Sequence, residues 1–383
     1  MASLSLSLRR LPSASSPRSF CICTPRSAKK AISSSPSFKD PAAATPRKHV
    51  KKPRSAVPQT ELFMGLETVP PISRRPTLIN EDSARDLVRA WGIDKMHDAT
   101  VLEVYPGPGG ITRALLELPN VKKVIAIEEA FRYQPFLQAA KEREADLERL
   151  SIVQEDGFLW ESYSNLEEQG LLKDVPVHPW DEVHPNFFLA AQLPNNQHGQ
   201  QLFVQFLATT AGQMWLWRYG RFQMGFLGAS AFWDKITAPP GTTLHHKLAV
   251  LMPSLGTLER QELLSGLNPA DSHFHRPRGD PAAFSPIKVT PHVSTPVENY
   301  EALEYVARNM FIAKSTPWQK AVGALAAGAN NLIPELVAKG MPSPETTVNQ
   351  LSQEHWTLIA NVYNNWPFKS EILFDEAQFS QHD

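Results

Sequence analysis

Behind Asn80 and Asp82, apolar residues recur three to four positions apart at Ala84, Leu87, Val88 and Trp91, and Gly92 follows. This spacing predicts an amphipathic helix, N-capped by Asn80 or Asp82 and stopped by glycine. Short apolar runs come next, at 100–104, 121–127, 150–154 and 187–191, with helical stretches separating the first three. Strands alternating with helices predict a parallel sheet with both faces covered. A further helix is expected over 200–219 and a further strand over 247–252. The polar, Pro-containing stretch 160–185 is expected at the surface. From residue 299 the period changes again. Leu303, Val306, Ala307, Met310 and Phe311 share one helical face, 321–329 and 333–336 continue helical, and 346–362 forms another helix. The fold class is therefore α/β, a Rossmann-like domain followed by a small all-helical C-terminal domain, with no internal repeats.

Charge divides the chain more sharply than the net value of −1 suggests. Residues 1–60 hold 12 of the 38 Lys/Arg and one of the 39 acids, Asp40. The remainder carries 26 basic against 38 acidic residues. The head is Arg- and Ser-rich, and its first 30 residues contain no acid. Such a composition predicts an organelle transit peptide, read as mitochondrial, although a basic tail or a chloroplast address has a similar composition. Residues 41–58 form a Pro/Ala/Lys linker without periodicity. The expected boundaries are 1–60 for presequence and linker, 61–297 for the sheet domain, 298–373 for the helical domain and 374–383 for an acidic tail. Both cysteines, Cys21 and Cys23, lie in the head, so a cleaved chain has no disulfide framework. No apolar run approaches the roughly 20 residues of a membrane span.

Three elements carry candidate chemistry. The run 101–112 reads as a buried strand, then Tyr105-Pro106-Gly107-Pro108-Gly109-Gly110, then a helix start. Gly107 and Gly109 let backbone approach a ligand, and the helix start offers free N–H groups. Glu128 ends the second strand about 20 residues beyond the turn, where an acid suits ribose hydroxyls; an ordinary surface glutamate is the alternative. Asp156 follows the third strand and suits an adenine amino group; a helix cap is the alternative. Trp215, Trp217 and Tyr219, interleaved with Arg218 and Arg221, mix rings with cations in the manner of single-strand binders. A core helix is the alternative, and for the tryptophans the preferred one. An acidic body leaves room only for a local nucleic-acid surface, drawn from Arg74, Arg75, Arg218, Arg221, Arg276 and Arg278. His245/His246 and His273/His275 lack partners at metal spacing, so no metal site is expected.

In order and spacing, these elements resemble the rRNA adenine N6-dimethyltransferase family, including its mitochondrial transcription factor B branch of fungal type. The similarity extends to Pro76–Asn80, to Glu103 and Thr112 around the glycine turn, to 218–224, to Phe284-Ser285-Pro286-Ile287-Lys288-Val289 and to the helical region 303–328. It implies an S-adenosylmethionine-dependent methyltransferase fold, with Ile79, Tyr105, Gly107, Gly109, Glu128 and Asp156 at the cofactor. It also implies a target-base motif at Gln192-Leu193-Pro194-Asn195, where active enzymes carry Asn-(Leu/Ile)-Pro-(Tyr/Phe). Gln192 keeps an amide on a longer stem, and Asn195 has no ring to stack on a base, a contact worth roughly 1–3 kcal/mol. Tyr105 stands where the family has a glycine beside the cofactor's methionine end.

These departures make the cofactor site a candidate vestige and the enzyme assignment uncertain. The resemblance then implies a mitochondrial matrix protein that acts as a monomer with a mitochondrial RNA polymerase. It would recognise and melt promoter DNA and hold the opened single strand, with the tail reaching toward the polymerase. The alternative is an active S-adenosylmethionine-dependent dimethyltransferase of small-subunit rRNA. A third class is a ribosome-assembly or RNA-binding protein on the same fold.

Overall fold

Seven strands form one sheet in the order β4-β3-β2-β5-β6-β9-β7. In chain order the elements are β1 Thr77–Leu78, α1 Glu81–Ala90, β2 Ala99–Val104, α2 Gly110–Leu116, β3 Val121–Ile127, α3 Gln134–Lys141, β4 Leu150–Val153, α4 Trp160–Glu168, β5 Val183–Gln192 and α5 Gln197–Ala208. Then follow β6 Arg221–Ala229, α6 Ser230–Ile236, α7 Lys247–Leu255, β7 Gly256–Arg260, β8 Phe274–His275, β9 Phe284–Pro291, α8 Tyr300–Met310, α9 Trp318–Gly323, α10 Ile333–Ala338 and α11 Gln353–Asn364. The computed structural model describes residues 63–277 and 282–370. The expected transit peptide with Cys21 and Cys23, the linker, Arg278 and the acidic tail lie outside the described residues.

The predicted first helix is α1. Asn80 is its cap, its side chain accepting from Ser83 N, and Gly92 follows with φ 79°. Strands β2 to β6 pair in parallel, and β9 joins β6 antiparallel. Every residue of β2 is buried, as expected for a parallel strand covered on both faces. One face packs on Leu87, Val88, Trp91, Ile111 and Leu115. The other belongs to an apolar cluster running from Leu102, Val104 and Phe226 through Trp233 and Leu255 to Leu303, Trp356 and Tyr363. In the C-terminal helices, Tyr305 stacks on Tyr363 and Phe311 on Trp356.

Several local expectations are corrected. The helix expected over 321–329 ends at Gly323, and the one expected over 346–362 begins at Gln353. Residues 247–252 are helical, part of α7, not a strand. A six-residue apolar run surrounded by core has no period that separates strand from buried helix. The helix expected over 200–219 stops at Ala208. The Thr209 and Thr210 hydroxyls turn back onto the carbonyls of Gln205, Phe206 and Leu207, and Gln213 and Trp215 adopt φ 48° and 63°. The stretch 160–185 is not merely superficial, because α4 buries Ser162, Tyr163 and Leu166, and Leu172 and Val175 join the core. Strands β6, β7 and β9 carry no clear period in the sequence, because Pro286, Pro291 and glycines interrupt their pattern.

Strand β2 has β3 on one side and β5 on the other, so the strand order reverses there. The carboxyl ends of β2 and β5, with Val104 opposite Ala191, mark the crevice where open α/β sheets bind ligands.

Candidate cofactor cleft and nucleic-acid rim

At the end of β2, the Tyr105 N–H still donates to Ile127 O, 3.0 Å away, so the strand pairing extends one residue. Tyr105 then turns with φ 58°, a left-handed conformation that costs a side-chain-bearing residue about 1–2 kcal/mol. Its side chain is buried rather than swung out to solvent. The hydroxyl donates to Asp156 Oδ1 at 2.5 Å and lies 3.3 Å from His198 Nε2. Burial pushes the phenol's pKa upward and Asp156 pushes it further, so the hydroxyl keeps its proton.

Arg75 lies over this ring, its Cζ 4.4 Å from the centroid. Its Nη2 forms a close ion pair with Glu128, and Nη1 sits 3.5 Å from Glu129. Glu128 also accepts from Gly107 N and Ala130 N, each at 2.8 Å. Burial pushes the Glu128 carboxyl upward, and Arg75 with the two N–H groups opposes that shift. Asp156 Oδ1 accepts from Phe158 N at 2.9 Å besides the phenol.

The glycine turn is packed from the other side by the chain itself. A Cβ at Gly107, where φ is 62°, would lie 2.4 Å from Thr77 Cγ2, and one at Gly110 would lie 2.1 Å from Leu78 O. Behind the turn Glu103 accepts from the Thr112 hydroxyl at 2.6 Å. Its burial raises the carboxyl to about 8, against the effect of that bond.

Gln192, at the end of β5, is fully engaged with backbone. Its Oε1 accepts from Leu78 N at 2.7 Å, and its Nε2 donates to Tyr105 O at 3.2 Å and Pro106 O at 3.1 Å. The longer stem therefore ties β1, the turn and β5 together. Leu193 and Pro194 are buried, the Leu193 N–H donating to Leu227 O. Asn195 is half-buried, and its N–H donates to Arg74 O. Ile79 is buried, and its N–H donates to His273 O.

The structure thus gathers Ile79, Tyr105, Gly107, Gly109, Glu128, Asp156 and Gln192 at one crevice. As arranged, the two acids among them are already engaged by side chains of the chain itself. A phenol ring runs from the turn to the acid expected to meet adenine, and a guanidinium engages the acid expected to meet ribose. Among the described residues no group of three or more His, Cys, Asp or Glu side chains is placed to hold a metal ion.

The expected nucleic-acid residues separate. Arg218 is exposed and paired with Glu167. Arg221 is not available on the surface. It is buried, and its guanidinium donates to the carbonyls of Trp180, Pro291 and Asp181 at 2.8, 3.1 and 2.9 Å. Arg75 is likewise committed to the cleft, and Arg276 donates to Asp271 and Ala282 O. Arg74 is exposed. Trp217 is core, stacked on Phe222 with centroids 4.0 Å apart.

A rim beside the cleft escaped the sequence reading. Phe158 stacks on His198 at 3.9 Å, and Trp160 meets Trp215 edge-on at 4.6 Å. Phe158 and Trp160 are half-buried, and Leu159 and Met214 are 49% and 58% exposed beside them. The available signal was the aromatic spacing directly after Asp156.

A family model described as ribosomal RNA adenine dimethylase matches residues 78–365. Among curated proteins, mitochondrial transcription factor 1 of Lachancea kluyveri is 25% identical over 299 residues, spanning 73% of this chain and 85% of that protein. The protein of the same name from Saccharomyces cerevisiae is 23% identical over 294 residues, spanning 73% and 84%. Mitochondrial dimethyladenosine transferase 1 of Vermamoeba vermiformis is 25% identical over 317 residues, spanning 74% and 87%. A crystal structure of a dimethyladenosine transferase from Plasmodium falciparum shares the fold with a TM-score of 0.50 at 15% identity, covering 75% of this chain and 97% of that one.

Proposed function

Because the chain belongs to the ribosomal RNA adenine dimethylase family, we propose that it is a branch of that family in which methyl transfer has been given up and promoter opening retained. In this reading it is a mitochondrial matrix transcription initiation factor that acts as a monomer with a mitochondrial RNA polymerase. The observation that carries the loss of chemistry is the Tyr105–Asp156 bond beneath Arg75, together with a Gln192 amide whose oxygen and N–H groups already serve backbone partners. Methyl transfer requires the acceptor nitrogen to be held near the methyl group, and here Asp156 Oδ1 and the Gln192 amide already serve partners within the chain. The relatives named mitochondrial transcription factor 1 support the retained role.

Promoter opening needs only differential binding. Groups that hold unpaired bases more tightly than duplex shift the closed–open equilibrium with no chemical step. The rim of Phe158 and Trp160 is suited to this, since rings stack on any base. Arg74 and Arg218 are the exposed cations the sequence pointed to. We assign residues 63–297 to the sheet domain and 298–370 to the helical domain. No helix among the described residues is long and apolar enough to cross a membrane.

A second reading, rRNA adenine dimethylation, is favoured by the acids Glu128 and Asp156 at successive strand ends of the sheet and by the dimethyladenosine transferase among the relatives. One pair of assays separates the two. Purified chain with mitochondrial RNA polymerase on a duplex promoter is expected to yield a specific run-off transcript. The same protein with methyl-labelled S-adenosylmethionine and unmodified small-subunit rRNA is expected to transfer no label. Adenine labelling without promoter-specific initiation would overturn the proposal.

A further inference from the structure

We propose that Tyr105 and Arg75 together form an internal surrogate for the adenosine cofactor, so that the chain carries in its own side chains the contacts a bound ligand would supply. The inference rests on the reading that methyl transfer has been given up, and it adds what now fills the cleft and why.

An adenosine cofactor with a sulfonium centre brings three chemical features to such a crevice. It offers a flat ring with a hydrogen-bond donor, ribose hydroxyl donors for a second acid, and a positive charge on the far side of the ribose. The chain places the same three features there. The phenol is the flat ring, and its hydroxyl donates to Asp156. The Arg75 guanidinium supplies donor and charge to Glu128. The same guanidinium lies 4.4 Å over the phenol, within cation–π distance. Glu128 has no solvent exposure, and a buried carboxylate without a charged partner is strongly unfavourable. Without ribose donors the Glu128 carboxyl must find its partners within the chain, and Arg75 supplies a charged one.

Arg75 comes from outside the main sheet. It precedes β1, whose Leu78 N–H is tied to Gln192, so the segment that delivers the guanidinium is fastened to the crevice it fills. The left-handed φ of Tyr105 points to the same history of replacement, because the backbone conformation remains one that suits glycine. Ligand entry must displace the ring, and removal of the ring should reopen a place for ligand.

The test uses the full chain with S-adenosylhomocysteine as probe, followed by titration calorimetry and thermal unfolding. The wild-type chain is expected to show no saturable binding and no rise in Tm. Tyr105→Gly, which suits the local φ, is expected to bind at least tenfold more tightly than wild type and to gain Tm with probe. Equal binding by the two proteins overturns the proposal, as does a folded Tyr105→Gly chain that binds no better than wild type. A second measurement does not depend on that variant folding. Tyr105→Phe, Asp156→Ala and their double variant are unfolded without probe. The double variant is expected to lose less Tm than the sum of the single losses, and additive losses overturn the proposal. Neither assay contains polymerase or promoter, so its failure leaves the initiation reading standing, and a failed run-off assay leaves the surrogate standing.

Discussion

Two loops at the carboxyl edge of the same sheet have gone in opposite directions. The turn after β2 is closed, its ring, guanidinium, acids and amide all engaged from within the chain, with Arg75 Nε and Glu103 Oε1 buried and left over. The loop after β4 is open, and Phe158, Leu159 and Trp160 face partly outward a few residues beyond Asp156. The contrast shows that buried polar groups at such an edge need partners from within the chain, whereas a half-exposed aromatic rim needs none.

The largest effect should come from breaking the closed side. Arg75→Ala leaves Glu128 buried without its cation and is expected to destabilise the chain by about 3–5 kcal/mol. Urea unfolding checks this, and a loss comparable to an exposed ion pair would mean that the cleft opens to water. Gln192→Ala should cost about 2–3 kcal/mol, because one backbone N–H and two carbonyls lose their partner at once. A variant as stable as wild type would show that waters replace the amide easily.

On the open side the effect should fall on binding. Trp160→Ala is expected to weaken binding of single-stranded DNA by about 1–3 kcal/mol and to change stability less than either cleft variant. Fluorescence anisotropy and thermal unfolding on one preparation separate the two effects. Equal losses in both would make the rim part of the core.

A last effect concerns the floor of the closed side and appears only as a dependence on pH. Unfolded, Glu103 loses its proton near 4.5; folded, it keeps it to about 8. The native state therefore binds more protons between these values, and this group's contribution to stability falls as pH rises through that window. Glu103→Gln lacks the loss. Its stability relative to wild type should climb between pH 5 and pH 8, by at most about 1.4 kcal/mol per pH unit. A difference independent of pH would show that the carboxyl is already ionised in the native state.

Much of this was legible in the sequence because it is local. The buried run of β2, the glycine turn, the Asn80 cap and the alternation of strands with helices each depend on a few neighbouring residues. Glu128 and Asp156 stood out by their places at strand ends, and Gln192 through the resemblance to the family's target-base motif. What escaped depends on distance along the chain. Arg75 and Glu128 are 53 residues apart, and nothing near either announces the pair. Arg221 looked like a surface cation because its neighbours are aromatic and basic, yet three carbonyls from distant segments hold it in place. The helix over 247–255 was misread because burial on all sides erases the periodicity that would identify it.

The contact between Gly110 and Leu78 has a consequence for mutational tolerance. A Cβ there would meet a carbonyl oxygen 2.1 Å away, and backbone cannot step aside as a side-chain tip can. Position 105 has accepted a tyrosine, whereas position 110 has no such latitude. The two positions therefore differ in latitude. A side chain at 105 finds room and a partner in the crevice, whereas one at 110 would meet the chain's own backbone for as long as the fold is kept.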